Sequence, residues 1–163
     1  MSYLPKLWTD ISARLEADTT LMAALPSGSG ILNSRSFDNA PLPVIVYNVV
    51  SDTSDDAFRL SHRIVSFDVH VYVERSASAS PNVAGQVDGF TVAGTLIGRI
   101  DGDWTAQTFG TGPTYGLDRW RPSLTDSGFA ATVCVKKSSR EMHDDETLHW
   151  VLEYEVRISK VAS

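Results

Sequence analysis

Residues 65–74 alternate strictly, with Val65, Phe67, Val69, Val71 and Val73 on one side and Ser66, Asp68, His70 and Tyr72 on the other. Successive side chains of a strand point to opposite faces of a sheet. The pattern therefore predicts a strand with one core face and one polar face, the latter turned to water, a cleft or another chain. A similar alternation runs through residues 148–158, where Trp150, Leu152, Tyr154, Val156 and Ile158 interleave with His149, Glu153, Glu155 and Arg157. Residues 42–50 form a nearly unbroken β-branched and aromatic run, as expected of a central strand covered on both faces, with Pro43 able only to start it. The polar stretch 51–62 reads as a long connection that joins this strand to the alternating one as an antiparallel pair. A further strand is predicted over 129–136, followed by a polar turn over 137–147.

Three segments carry the helical period instead. Leu4, Leu7, Trp8, Ile11 and Leu15 fall on one stripe, with Pro5 in the first turn. Asp18 is placed to cap a second, short helix bearing Leu21, Met22 and Leu25, which Pro26 and the glycines after it end. Val83, Val87, Phe90, Gly94 and Ile97 follow the same spacing, with Ser80 or Asn82 as caps. The glycines 85, 89, 94 and 98 inside this segment each cost about 1 kcal/mol relative to alanine, and close packing on the sheet would explain them. Residues 101–128 are rich in turn formers and predict short strands or an extended excursion. The order predicts a single α+β domain over 1–163, a mainly antiparallel sheet packed against an N-terminal helix pair and one central helix.

With 163 residues, one core suffices. The single cysteine, Cys134, excludes an intrachain disulfide and reads as a packed apolar side chain. No window is apolar for long enough to span a bilayer, and no signal-peptide layout opens the chain, so a protein made in the cytoplasm without a membrane partner is expected. The net charge is −6, and the nearest thing to a basic cluster, Lys136, Lys137 and Arg140, lies beside Asp144, Asp145 and Glu146 as on a solvated hairpin tip. Tight nucleic-acid binding needs a basic patch that is missing here.

Catalytic motifs are likewise lacking. His143 and His149 flank Asp144, Asp145 and Glu146, but their spacing of six differs from the helical pair of a zinc protease, and the group reads as a charged turn. Asp101 and Asp103 around Gly102 read as a turn rather than an acid and base pair. No serine lies in a nucleophile elbow, Cys134 has no basic neighbour, and Pro113 removes a donor that a phosphate loop after Gly110 and Gly112 would need. A non-enzymatic protein without cofactor or resident metal is expected. A small metal- or ligand-binding domain built on the His143/His149 turn is the alternative from another class.

The order of these elements resembles the tail terminator, or tail completion, proteins of long-tailed double-stranded DNA phages and gene transfer agents. The matching features are LPVIVYNVVSD from Leu42, the acidic residues Asp52, Asp55 and Asp56, His62 before the alternating strand, the helix with Val87, Leu96 and Ile97, and the ending DETLHWVLEY from Asp145. The likeness covers nearly the whole chain, which departs from the family pattern between Asp103 and Gly128, where it is longer. The resemblance implies a virion protein, assembled in the host cytoplasm as a homo-oligomeric ring, usually a hexamer, at the head-proximal end of the tail. Its partners would be the tail tube protein and the head–tail connector or stopper, with DNA only in transit; a connector or stopper of the same assembly is the nearest alternative. In such a ring Asp68, His70 and Tyr72 would face a neighbouring chain or the channel. Some of Asp52, Asp55, Asp56, Asp68, Asp144, Asp145 and Glu146 would line that channel and repel DNA phosphates.

Overall fold

The computed structural model describes residues 3–26, 30–33, 40–55, 62–75, 88–102, 113–124, 127–143 and 146–161, the side chains of Asp55 and His143 excepted. Among these residues the chain forms α1 (Leu4–Glu16), α2 (Thr19–Ala23), β1 (Ile31–Asn33), β2 (Val44–Asp55), β3 (His62–Glu74), α3 (Gly89–Asp101), β4 (Phe129–Ala131), β5 (Val135–His143) and β6 (Thr147–Lys160). The strands make one curled sheet in the order β1-β2-β3-β6, with β6 pairing β5 along its first part and β4 at its end. Among the described residues only the short β1–β2 pairing is parallel. The helices lie against one face, so the α+β prediction holds.

The core forms where the predicted stripes meet. Val65, Phe67, Val69, Val71 and Val73 are fully buried, and Phe67 stacks on Tyr154 directly across the β3–β6 ladder, ring centres 5.5 Å apart. From the helices come Leu7, Ile11, Leu15, Leu21, Ala93, Leu96 and Ile100. Asp18 caps α2 as expected, accepting from the amides of Thr20 and Leu21. It also receives both Nε and Nη2 of Arg99 from α3, at 2.7 and 2.6 Å, which ties the helices together. Burial raises the Asp18 pKa, but the Arg99 hydrogen bond and the capped amides outweigh it and hold the carboxyl below the usual range.

Several expectations change. The polar stretch after Val50 is no loop through Asp55, because Ser51–Asp55 continues β2 opposite His62–Ser66 after a register shift. Residues 137–143 are likewise strand rather than turn, so Lys136, Lys137 and Arg140 stand on β5 instead of at a hairpin tip. A long neighbour supplies the ladder bonds that local propensity did not promise. The predicted strand 129–136 breaks after Ala131, because the Cys134 backbone pairs instead with residues 119 and 120: Arg119 N donates to Cys134 O and Cys134 N to Trp120 O. Helix α3 starts later than its spacing implied, capped by Asp88, and it buries Gly89, Ala93, Leu96 and Ile100 while Phe90 is 48% exposed. Ser80, Asn82, Val83, Gly85 and Val87 lie outside the described residues.

Close packing explains only some of the glycines. A Cβ on Gly89 would come within 2.3 Å of Glu74 O, where α3 abuts the end of β3, whereas one on Gly94 or Gly98 would meet nothing within 4 Å. An equally tight crossing lies between Gly102 (φ 99°) and Gly116 (φ 81°), where a Cβ on Gly116 would fall 2.3 Å from the Gly102 Cα. That crossing seats residues 113–124 on the end of α3, with Leu117 N and Asp118 N donating to Ile100 O and Asp101 O.

Candidate functional site: the sheet face away from the helices

Residues paired directly across antiparallel strands share a face, so the register assigns what stands on the side opposite the core. Three rows cross four strands. The first runs Val44, Tyr72, His149, Met142; the second Val46, His70, Val151, Arg140; the third Asn48, Asp68, Glu153, Ser138. The predicted trio Asp68, His70 and Tyr72 is therefore contiguous and joined by side chains from β2, β5 and β6. Val44, Val46 and Val151 are 0%, 6% and 2% exposed although they lie outside the main core cluster. Arg140, Ser138 and Met142 form the exposed margin.

The rings on this face are ordered by contact. Tyr72 stacks on His149 with centres 4.1 Å apart, His149 on His70 at 5.2 Å, and His70 Nδ1 lies 2.9 Å from His149 Nε2. At that separation one nitrogen carries the shared hydrogen and the other accepts it. Burial lowers the His70 pKa against the opposing charge of Asp68, with Arg140 adding to the fall. Burial also pulls His149 down to about 4, assisted by His70 and Arg140. Burial raises Asp68, and Glu153 adds to it against His70 and Arg140; burial alone raises Tyr72. Both imidazoles are thus neutral near pH 7 and keep lone pairs for hydrogen bonding or coordination.

The other predicted residues do not join this cluster. Asp52 pairs with Val65 and so belongs to the helix-covered side, where it accepts from Tyr3 Oη at 2.6 Å and Arg63 Nε at 2.8 Å. Its carboxyl is a structural anchor for the start of α1. Asp55 ends β2 opposite His62, and Glu146 is exposed at the turn before β6, its carbonyl taking the Arg75 amide. Asp56, Asp144 and Asp145 lie outside the described residues, as does the side chain of His143. His149 therefore finds its observed partner in His70, a residue 79 positions away in sequence. Alternation on both strands placed each histidine on a polar face, but the register that brings them together has no local signature.

Two other polar sites have structural roles. A cleft of about 270 Å³ between the helices and residues 114–115 is lined by Arg14, Asp18, Thr20, Arg99 and Tyr115. Its cations are engaged: Arg14 donates to Gly116 O and Pro113 O, and Arg99 holds Asp18 while lying 3.5 Å over the Tyr115 ring. Beneath the excursion, Tyr154 and Lys136 both donate to Asp101. Burial, then the Asp118 charge, pushes the Cys134 thiol up to about 12. That leaves it protonated and a poor nucleophile. Among the described residues no group of three or more His, Cys, Asp or Glu side chains is placed to hold a metal, and no helix is long and apolar enough to cross a membrane. No family model matches the chain, and a search of curated proteins gives no match.

Proposed function

We propose that this chain is a non-enzymatic structural protein of a long-tailed double-stranded DNA phage or gene transfer agent: a ring subunit that caps the head-proximal end of the tail tube, stops its polymerisation and joins it to the head connector. The observation that carries the reading is the three-row face, where the half-buried rings of Tyr72, His149 and His70 stack on the two middle strands and Arg140, Ser138 and the exposed Met142 stand at the β5 margin. Aromatic side chains, methionine and arginine are the residue types enriched in protein-contact surfaces. A contact between unlike patches closes into a ring when its rotation closes, and a finite ring on a growing helical tube caps it. The charge of −6 suits a channel through which DNA passes without being held.

The test mixes the purified full chain with polymerisation-competent tail tube subunits under the electron microscope. Rings of the chain alone and tubes arrested at a fixed length are expected, with no duplex DNA retained at physiological salt. A chain that stays monomeric at all concentrations while tubes grow unchecked overturns the reading. Rings that bind the head connector but leave tube growth unaffected would assign the chain to the stopper class instead.

A further inference from the structure

We propose that His70 and His149 form a two-histidine chelate for a tetragonal divalent transition-metal ion, Cu(II) or Ni(II), on the sheet face away from the helices. Both ligands come from one chain, so the inference does not need the ring reading; because the two use the same face, the titration is made at a concentration where the chain is monomeric.

Its basis is the separation of the two nitrogens. With metal–nitrogen bonds of about 2.0–2.1 Å, two ligands 2.9 Å apart subtend about 90° at the metal. A tetrahedral site opens that angle to about 109° and needs nitrogens roughly 3.3–3.4 Å apart. The nitrogen separation therefore matches neighbouring positions of a square or octahedral ion, the geometry that Cu(II) and Ni(II) prefer with imidazole ligands, and water completes the coordination.

The strand register sets which rings meet. His149 lies between Tyr72 and His70, and the two histidines are diagonal neighbours fixed by the β3–β6 register. To coordinate, each lone pair turns from the line between the nitrogens toward a common point, a swing of about 45° that the broad second side-chain torsion of histidine allows and that loosens the stack of His149 on Tyr72. The nitrogen that carried the bridging hydrogen gives it up while the other nitrogen of the same ring takes one, so neutral imidazoles bind metal without net proton release. Charges facing the site are Asp68 from β3, Glu153 from β6 and Arg140 from β5. The first two favour a cation and the third opposes it.

The test uses the full chain freed of metal by a chelator and titrated with copper(II) chloride, then nickel(II) chloride, near neutral pH. One equivalent per chain is expected, with copper resonance spectra showing two nitrogen ligands. Outer-shell partners alone are commonly worth about 10- to 100-fold in metal affinity, so His70→Gln and His149→Gln should each weaken binding at least that much. His62→Gln, on the same face of β3 but roughly 26 Å along the strand, should leave it unchanged. Should a variant fail to fold, nitrogen NMR of the unaltered chain decides, with perturbation expected at the rings of His70 and His149 before those of His62 and His143. Absence of saturable binding, binding that survives in both glutamine variants, or first perturbation at another histidine overturns the proposal.

Discussion

Replacing Phe67 by alanine removes a fully buried ring from the middle of β3, and the size of the loss follows from what surrounds it. Truncations of this kind cost about 3–5 kcal/mol, the spread depending on how far the site can collapse. Collapse is restricted here. The facing ring, Tyr154, is held by its hydroxyl to Asp101 at the end of α3, so it cannot swing into the void. The stacked pair itself adds roughly 0.5–1.5 kcal/mol beyond buried area. We therefore expect a loss in the upper half of the range, about 4–5 kcal/mol, against a total stability of about 5–15 kcal/mol for a domain of this kind. Urea titration followed by circular dichroism, at fixed protein concentration, should show a lower midpoint with an unchanged slope. Phe67→Leu, which keeps much of the volume, should cost only about 1–2 kcal/mol. A loss below about 1 kcal/mol for the alanine variant would show that β3 does not present this face to the helices.

Three further outcomes are expected. Gly116→Ala should destabilise by at least about 1–2 kcal/mol, since its φ of 81° disfavours a side chain and the added Cβ meets Gly102, whereas Gly94→Ala, exposed and uncrowded, should stabilise α3 by roughly 0.4–1 kcal/mol; thermal melts showing equal effects would contradict the glycine crossing. Because the fold holds His70 and His149 below the ordinary 6.5, the unfolded chain binds more protons between that value and about 4. Their contribution is complete above about pH 6.5 and declines as the pH falls toward 4, so urea midpoints should drop between about pH 7 and pH 5, and less steeply in His149→Gln. Identical profiles would count against a neutral buried pair. Cys134, fully buried with its thiol pushed up to about 12, should react with an aromatic disulfide reagent only as the protein unfolds; rapid stoichiometric labelling of the native chain would refute that placement.

Most of the scaffold was legible in the sequence because its signals are local. Alternation over Val65–Val73 and helical spacing over Leu4–Leu15 each state which side of an element is apolar, and burial follows wherever that side finds a partner. The Asp18 cap could be read for the same reason, since the carboxylate and the amides it accepts from are two and three residues apart. What tertiary structure alone decided is pairing. Ser51–Asp55 and Lys137–Met142 are too polar to announce strands, and they become strands because β3 and β6 are long enough to offer them ladders. Cys134 leaves the sheet because an excursion 14 residues earlier captures its backbone. The site shows the same division. Each histidine could be placed on a polar face from its own strand, but the face they share, the 2.9 Å between their nitrogens and the removal of Asp52 to the opposite side depend on register. Register is fixed by the summed fit of whole strands and by the shift after Val49, and such a sum leaves no mark on any single stretch of residues.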